Sequence, residues 1–239
     1  MTLAAMAQGN SVVHLYPAQL KTLDLYLPTH PEQRKIASFL GAVDAKIAQL
    51  SRKKALLEDY KKGSMQQLFS QEIRFKDENG NDFPDWDEKP LHDFLTETKA
   101  KSDGSEAVFS VSVHKGLIDQ VEHLGRSYSA SDTGHYNRVE PGDVVYTKSP
   151  TGEFPFGIIK QSRLDMPVIV SPLYGVFRPE TPWLGYWLHV YFESSIHTGN
   201  YLKPIIQKGA KNTINITNTT FLSAKLKVPI HRTEQRKIA

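Results

Sequence analysis

The sequence contains no cysteine and no long hydrophobic run, and each absence removes a class of protein. Without cysteine there is no disulfide and no thiolate metal site. No stretch approaches the roughly 18 consecutive apolar residues of a membrane-spanning helix. The N-terminal residues also lack the basic start and apolar core of a signal peptide. We therefore expect a cytoplasmic protein that contacts no membrane.

The motifs of common enzymes are missing as well. The sequence has no glycine-rich phosphate loop, no dinucleotide fingerprint, no HExxH pair and no GxSxG elbow. The stretch from Asp77 to Glu88 has partial calcium-loop spacing, but Asp82 stands where that loop requires glycine. A nuclease would need carboxylates that only the fold brings together. We therefore expect no metal, no cofactor and no catalytic residue in this chain.

Charge is distributed unevenly along the chain. The formal net charge is only +3, yet residues 31–76 carry ten Lys or Arg against five Asp or Glu. Residues 200–233 carry six Lys or Arg and no acidic residue. A basic stretch inside a nearly neutral region indicates either a surface that faces a polyanion or an ordinary solvated face.

One segment of six residues occurs twice. Glu32-Gln33-Arg34-Lys35-Ile36-Ala37 recurs letter for letter as Glu234-Gln235-Arg236-Lys237-Ile238-Ala239. A proline and a histidine precede both copies, as Pro28 and His30 and as Pro229 and His231. A period of about 200 residues is far too long for a solenoid repeat. It indicates two large, similar units in one parent architecture.

The region from Pro31 to Phe69 is predicted to form one long helix. Pro31 and Glu32 suit the first turn of a helix. Apolar residues then follow alternating spacings of four and three, with Lys54 interrupting the row: Ile36, Leu40, Val43, Ile47, Leu50 and Leu57. Such a seam is typical of a helix that packs on a partner helix, although packing on its own domain is an alternative. A rod of about 60 Å is expected to project.

Short strands and helices follow the long helix. Asn79-Gly80 favours a tight turn. Strands are predicted from strand-favouring residues between turns, at 107–113, 143–148, 157–160, 168–170, 175–178 and 213–216. Helices are predicted from Thr181-Pro182 and from about Asn218. The expected fold class is α+β, with a long coiled-coil-forming helix and a globular mixed α/β domain.

Three loops of this domain combine lysine with small polar residues. We predict that they bind DNA, with lysines on phosphates and polar side chains at base edges. Each loop alone is equally typical of ordinary surface, and Tyr128 equally suits packing. The candidate DNA-binding residues are Lys115, Tyr128, Lys148, Ser149, Thr151, Lys208, Lys211, Asn212 and Thr213.

The motifs resemble those of one family, the specificity subunits of type I restriction–modification enzymes. The pattern Pro-x-x-x-Glu-Gln-x-x-Ile-Ala at Pro28, opening a long helix, is that family's hallmark, and it recurs from Pro229 with one residue inserted. The stretch Tyr60–Phe69, the Phe83-Pro84-x-Trp86 motif, and the stretches 136–146 and 171–177 resemble further parts of the family pattern.

The resemblance implies a division of the chain. Residues 1–30 would be the tail of a preceding recognition unit, 31–70 the conserved spacer helix and 71–85 a turn-rich linker. Residues 86–229 would form the target-recognition domain, and 230–239 the start of a second conserved helix. Compared with the family pattern of two recognition domains and two long helices, this is a partial or half-length subunit.

The resemblance also implies a function and partners. The chain would read one half of a bipartite target in double-stranded DNA and dock methylation subunits through its long helix. A restriction subunit and a second copy paired along the seam are further expected partners. S-adenosylmethionine, ATP and magnesium would belong to the partner subunits. The alternative is a structural protein that binds methylation subunits without directing DNA specificity.

Overall fold

The structure, a computed structural model, describes residues 17–22, 25–125, 132–208 and 214–239. The chain divides into two compact units, Met1–Gln67 and Leu68–Ala239. The predicted fold class is confirmed, because a long helix precedes a mixed domain of small antiparallel sheets and short helices. Within the described residues, no helix combines the length and the hydrophobicity needed to cross a membrane.

The first unit contains the short helix α1 (Pro17–Leu20) and most of the long helix α2 (His30–Phe69). Helix α2 has 40 residues and begins one residue before the predicted start. The helix is uninterrupted, although it contains two glycines. Gly41 and Gly63 are both helical, and a Cβ built at either position would meet no atom within 4 Å. The alternating four-three apolar spacing therefore predicted an element that exists as a single helix.

All strands found in the described part of the chain lie in the second unit. They are β1 (Asp87–Pro90), β2 (Leu95–Glu97), β3 (Phe109–Ser112), β4 (Gly116–Asp119), β5 (Asn137–Val139), β6 (Val144–Tyr146), β7 (Ile159–Gln161), β8 (Val168–Val170), β9 (Gly175–Pro179), β10 (Gln207–Lys208), β11 (Ile214–Asn215) and β12 (Lys225–Val228). A four-stranded antiparallel sheet has the order β2-β9-β6-β7. The antiparallel pairs β1-β12, β3-β4, β5-β8 and β10-β11 surround it.

Short helices and turns connect these strands. They are the 3-10 turn Leu91–Asp93, α3 (Gln120–Leu124), α4 (Pro182–Tyr191), α5 (Ser195–Leu202), the 3-10 turn Lys203–Ile205, α6 (Asn218–Ser223) and α7 (Arg232–Ile238). Helix α4 begins where the sequence predicted, since the Thr181 hydroxyl accepts a hydrogen bond from the Leu184 N–H at 3.1 Å. Asp119, Ser194 and Thr217 cap α3, α5 and α6 in the same way.

The strand predicted at 213–216 contains β11, and the other strand predictions were most accurate where apolar residues were dense. Strands β6 to β9 lie within or next to the predicted segments, and β8 matches residue for residue. The predicted strand at 107–113 is shorter, because the chain turns back at Gly116 to form β4. Strand β1 was not predicted, since Asp87-Glu88-Lys89-Pro90 has little strand propensity.

Two groups of buried apolar side chains form the core of this unit. The larger one lies between the four-stranded sheet and helices α4 to α6, and its fully buried members include Tyr146, Phe177, Trp187, Phe192 and Phe221. The smaller one joins β3, β4, β5, β6, β8 and the loop after β6, with Phe109, Val145, Phe154 and Val168 among its members. The loops predicted to bind DNA begin and end at residues that pack on these two clusters.

Candidate nucleic-acid interface

The loop after β6 carries three of the predicted DNA-binding residues, Lys148, Ser149 and Thr151. Ser149 and Thr151 are exposed, whereas Lys148 is half-buried. Burial lowers the pKa of the Lys148 ammonium group, and the nearby Glu97 carboxylate partly opposes that shift. Thr151 and Phe154 exchange backbone hydrogen bonds of 3.0 and 2.8 Å, and the buried Phe154 side chain anchors the turn. The loop thus presents small polar side chains on a fixed base.

The two ends of this loop are held together tightly. The Thr147 N–H donates to the Ile158 carbonyl at 2.9 Å, and the Ile158 N–H donates to the Thr147 hydroxyl at 3.1 Å. Gly157 lies beside them with φ +102°, and a Cβ there would stand 1.9 Å from the Thr147 carbonyl oxygen. Only glycine combines that backbone angle with so close an approach. Residues 148–156 therefore form a loop with closed ends.

A second loop, between β10 and β11, carries most of the remaining candidates. Lys208 pairs with Ile214 across this hairpin. The predicted binding residues Lys211, Asn212 and Thr213 lie outside the described residues, as does Tyr128. The described structure therefore places the base of the hairpin but not its tip.

Glu97 connects the bases of these two loops. Its carboxylate accepts a hydrogen bond of 2.7 Å from the Asn218 side-chain amide, at the start of α6 just beyond β11. The same carboxylate attracts the Lys148 ammonium group at the start of the first loop. Phe156, at the end of the first loop, and Ile206, before β10, pack on the same large core cluster. The two predicted loops therefore arise from one region of the domain.

The third candidate, Lys115, lies in the turn between β3 and β4. Its side chain is exposed, and its Nζ lies 3.7 Å from Glu122 Oε1, which is also exposed. Surface pairs of this kind contribute about 0–1 kcal/mol. This turn sits on the smaller core cluster, which also contains Phe154 of the first loop. Lys115 therefore keeps a charge that a phosphate can attract.

Two arginines of the domain form salt bridges with carboxylates of the same domain. Arg138 lies within 3.1 Å of oxygen atoms of Asp103, Glu106 and Glu140. Arg178 lies 3.1 Å from the buried Asp143. Because these guanidinium groups have protein partners, they serve to hold strands together rather than to offer charge to a ligand. Within the described ranges, no three His, Asp or Glu side chains are grouped to hold a metal ion.

The predicted seam of the long helix is exposed. Ile47, Leu50 and Leu57 are 55 to 57% exposed, and Ile36, Leu40 and Val43 are 39 to 54% exposed. Phe39, which the sequence reading did not include, is 67% exposed and shares this face, since it lies three residues after Ile36 and four before Val43. Pairing of this face with another helix stays a prediction.

The sequence reading missed a polar pocket around the second copy of the repeated segment. The Glu234 carboxylate is 1% exposed and accepts hydrogen bonds from Trp86 Nε1 at 3.1 Å and Arg74 Nη2 at 3.2 Å. The Thr181 hydroxyl donates to Gln235 Oε1 at 2.7 Å. We call the surrounding set the Glu-Gln pocket, defined by Arg74, Phe83, Trp86, Thr181 and Trp183. The repeated segment was the one sequence signal that could have pointed to this pocket. The residues that line the pocket are far apart in the sequence, so no local pattern showed that they meet.

Comparisons with known proteins find similar chains only among solved structures. No family model matches the chain, and no curated protein matches it. The chain is similar to the HsdS subunit from Thermoanaerobacter tengcongensis, with 19% identity and a TM-score of 0.42 over 98% of this chain and 55% of that one. It is also similar to a chain in a structure whose subject is the assembly and conformational transition of the type I R-M system. The identity is 18% and the TM-score is 0.42, over 89% of this chain and 50% of that one.

The chain thus spans about half the length of both solved chains. HsdS subunits belong to type I restriction–modification systems, the family that the sequence motifs resemble.

Proposed function

We propose that this chain is a DNA specificity subunit of a type I restriction–modification system. In this proposal the domain from about residue 84 to 229 reads one half of a bipartite target. The long helix docks methylation subunits and sets the distance to a second recognition domain. The chain itself supplies recognition and no catalytic group, so S-adenosylmethionine, ATP and magnesium belong to partner subunits.

One observation carries the proposal: the repeated segment starts a helix in the same way at both of its positions. Gln33 Nε2 donates to the Pro28 carbonyl at 2.8 Å, and Gln235 Nε2 donates to the Pro229 carbonyl at 2.8 Å. The Gln33 and Gln235 backbone N–H groups also bond to the carbonyls four residues earlier, at 2.8 and 3.0 Å. The motif therefore lies at the start of a helix at both positions, which supports the proposal because the family pattern that it resembles has a helix after each copy.

The exposed seam of the long helix supports docking. Exposure of a long row of apolar side chains to water is unfavourable, so such a row is normally covered by a partner. At 40 residues, the helix is about 60 Å long, which suits a spacer between two recognition domains. Methylation subunits, a second copy of this chain and a restriction subunit are the partners that the proposal requires.

The candidate loops support DNA reading. Lys115, Lys148 and Lys208 would neutralise phosphates, while Ser149 and Thr151 are exposed and short enough to approach base edges. Because Lys148 is desolvated, an approaching phosphate would meet a charge that bulk water screens only weakly.

Mapping of DNA methylation tests the proposal directly. We expect that cells expressing this chain together with its methylation subunit contain methylated adenine at one split sequence. Substitution of Lys208 and Lys211 by Ala should reduce methylation at that sequence. Stable co-purification with the methylation subunit, but without sequence-selective methylation, would instead support a structural interaction protein.

Salt dependence tests the predicted phosphate contacts. If Lys208 and Lys211 each contact one phosphate, the double Ala variant should lower the magnitude of the slope of log K against log salt by about two. Fluorescence anisotropy with a duplex that contains the mapped target measures that slope. The matched control is Lys225→Ala with Lys227→Ala, which removes the same charge from exposed positions of β12. An unchanged slope in the first variant would remove both lysines from the interface.

A further inference from the structure

The Glu-Gln pocket and the adjoining core contact five consecutive residues of helix α7. Trp86 and Arg74 bind the Glu234 carboxylate, and Thr181 binds the Gln235 side chain. The next three residues also have partners: Arg236 lies 5.8 Å from the Trp183 ring centroid, Lys237 lies 5.8 Å from the Phe83 ring centroid, and Ile238 packs on the large core cluster. The contacts are therefore made with the five side chains of Glu-Gln-Arg-Lys-Ile and not only with the backbone at the start of a helix.

The same five residues occur at the start of the long helix, as Glu32 to Ile36. A histidine also precedes each copy, and the His231 ring contacts Phe83 of the pocket in a tilted arrangement, with 5.1 Å between the ring centroids. Both copies start a helix and share a 2.8 Å bond from the Gln side chain to a proline carbonyl, with the proline five residues before Gln33 and six before Gln235. The first copy therefore presents its Glu and Gln at a helix start, as the segment in the pocket does.

The two copies differ in their surroundings. Glu234 and Gln235 are 1% and 3% exposed, whereas Glu32 is exposed and Gln33 is half-buried. Ile36 is 45% exposed, while its counterpart Ile238 packs on the core. The first copy thus carries the groups of a pocket ligand on an accessible surface.

From these contacts we infer that the Glu-Gln pocket of one chain binds Glu32 to Ile36 of a second copy, in place of its own Glu234 to Ile238. Each contact that the displaced segment loses is matched by the same contact from the incoming one, because the residues are identical. An exchange of identical elements between protomers is a low-cost route to a dimer. The inference concerns the partner contact alone and does not depend on the DNA-reading loops.

Selective cross-linking tests the exchange, since the chain contains no cysteine to interfere. In the intramolecular arrangement, Lys237 Nζ donates to the Lys76 carbonyl, and Lys35 is the counterpart of Lys237. A full-length Lys35→Cys chain is mixed with a full-length Lys76→Cys chain and treated with a short bismaleimide. We expect a cross-linked heterodimer, and much less product when Lys53→Cys, on the same helix beyond the repeat, replaces Lys35→Cys.

A pair of substitutions in the first copy is decisive. Glu32→Ala with Gln33→Ala, added to the Lys35→Cys chain, should weaken the association roughly tenfold or more, because it removes the charged hydrogen bonds to Arg74 and Trp86. The matched control, Asp44→Ala with Gln49→Ala, changes exposed residues of the same helix and should leave the yield unchanged. All four substitutions lie in the first unit, so the second unit keeps its core.

Two results would overturn the inference. One is a Lys35–Lys76 product no stronger than the Lys53 control. The other is a product that survives the Glu32 and Gln33 substitutions, which would mean that the helix seam alone brings the copies together. Either result leaves the methylation map unaffected, so failure of this contact is distinguishable from failure of the proposed function.

Discussion

The long helix α2 and the short helix α4 use similar apolar side chains with opposite results. In α4, Leu184, Trp187 and Leu188 are at most 1% exposed. In α2, Ile47 and Leu50 are more than half exposed, although they repeat with the same three- and four-residue spacing. The same periodicity thus serves a core in one helix and an open surface in the other.

This difference separates folding from assembly. Side chains of α4 stabilise the domain in which they lie, because folding removes them from water. Apolar side chains on the exposed face of α2 gain that free energy only when a further surface covers them, and in our proposal that surface belongs to another chain. The comparison therefore predicts that substitutions in α4 change unfolding and that substitutions in the α2 seam change association.

The largest effect is expected for Trp187→Ala in α4. Trp187 is 0% exposed and contacts the rings of Phe69, Trp86 and Tyr191. Its removal should lower the free energy of unfolding by about 3–5 kcal/mol. Urea denaturation, monitored by circular dichroism, measures this change. Leu173→Ala is the control, since Leu173 is 74% exposed and should change stability by less than about 0.5 kcal/mol. Equal effects of the two substitutions would contradict the assigned core.

Ile47→Asp in α2 should act on association and not on unfolding. A carboxylate in the middle of the seam would be desolvated without a partner when a second helix covers it. We expect loss of binding to the partner helix or methylation subunit in sedimentation experiments, with domain stability changed by less than about 0.5 kcal/mol. Gln49→Asp places the same charge on another face of the helix and should leave binding intact. Retained binding by the Ile47 variant would rule out the seam as an interface.

Lys54→Leu is expected to have the smallest effect, a modest increase in association through the α2 seam. Lys54 interrupts the apolar row and forms an exposed pair with Glu58, at 3.8 Å. Such a pair stabilises a helix by about 0.3–0.5 kcal/mol, which is less than a buried leucine side chain contributes. The variant should therefore associate several-fold more tightly in the same sedimentation assay. Weaker association would indicate that Lys54 itself contacts the partner.

The sequence predicted the elements whose signals are local. The long helix, the α4 start at Thr181 and strand β8 all follow from spacing or capping within a few residues. The pairing of β1 with β12 joins residues 87–90 to 225–228, and no local pattern reports such a long-range contact. The same reason hid the Glu-Gln pocket, because Arg74, Trp86 and Thr181 meet only in the fold.

The candidate interface was predictable only in part. Lysine-rich loops with small polar residues predicted a surface that binds a polyanion, which stays a prediction, and Lys115 in one of these loops is exposed. The sequence did not reveal that Lys148 is half-buried near Glu97, or that Lys115 has Glu122 as a neighbour. Local charge counts cannot report desolvation or pairing, since both depend on residues from other strands.

The closed ends of the loop between β6 and β7 have a consequence for how such a domain diversifies. Gly157 and the two Thr147–Ile158 hydrogen bonds fix where residues 148–156 leave and rejoin the sheet. Doubling the length of a flexible loop costs only about 0.6 kcal/mol in closure entropy. New residues can therefore be inserted or exchanged between the fixed ends while the sheet keeps its register. If this loop contacts DNA, as we propose, a few codons are enough to change the binding preference while the scaffold stays intact.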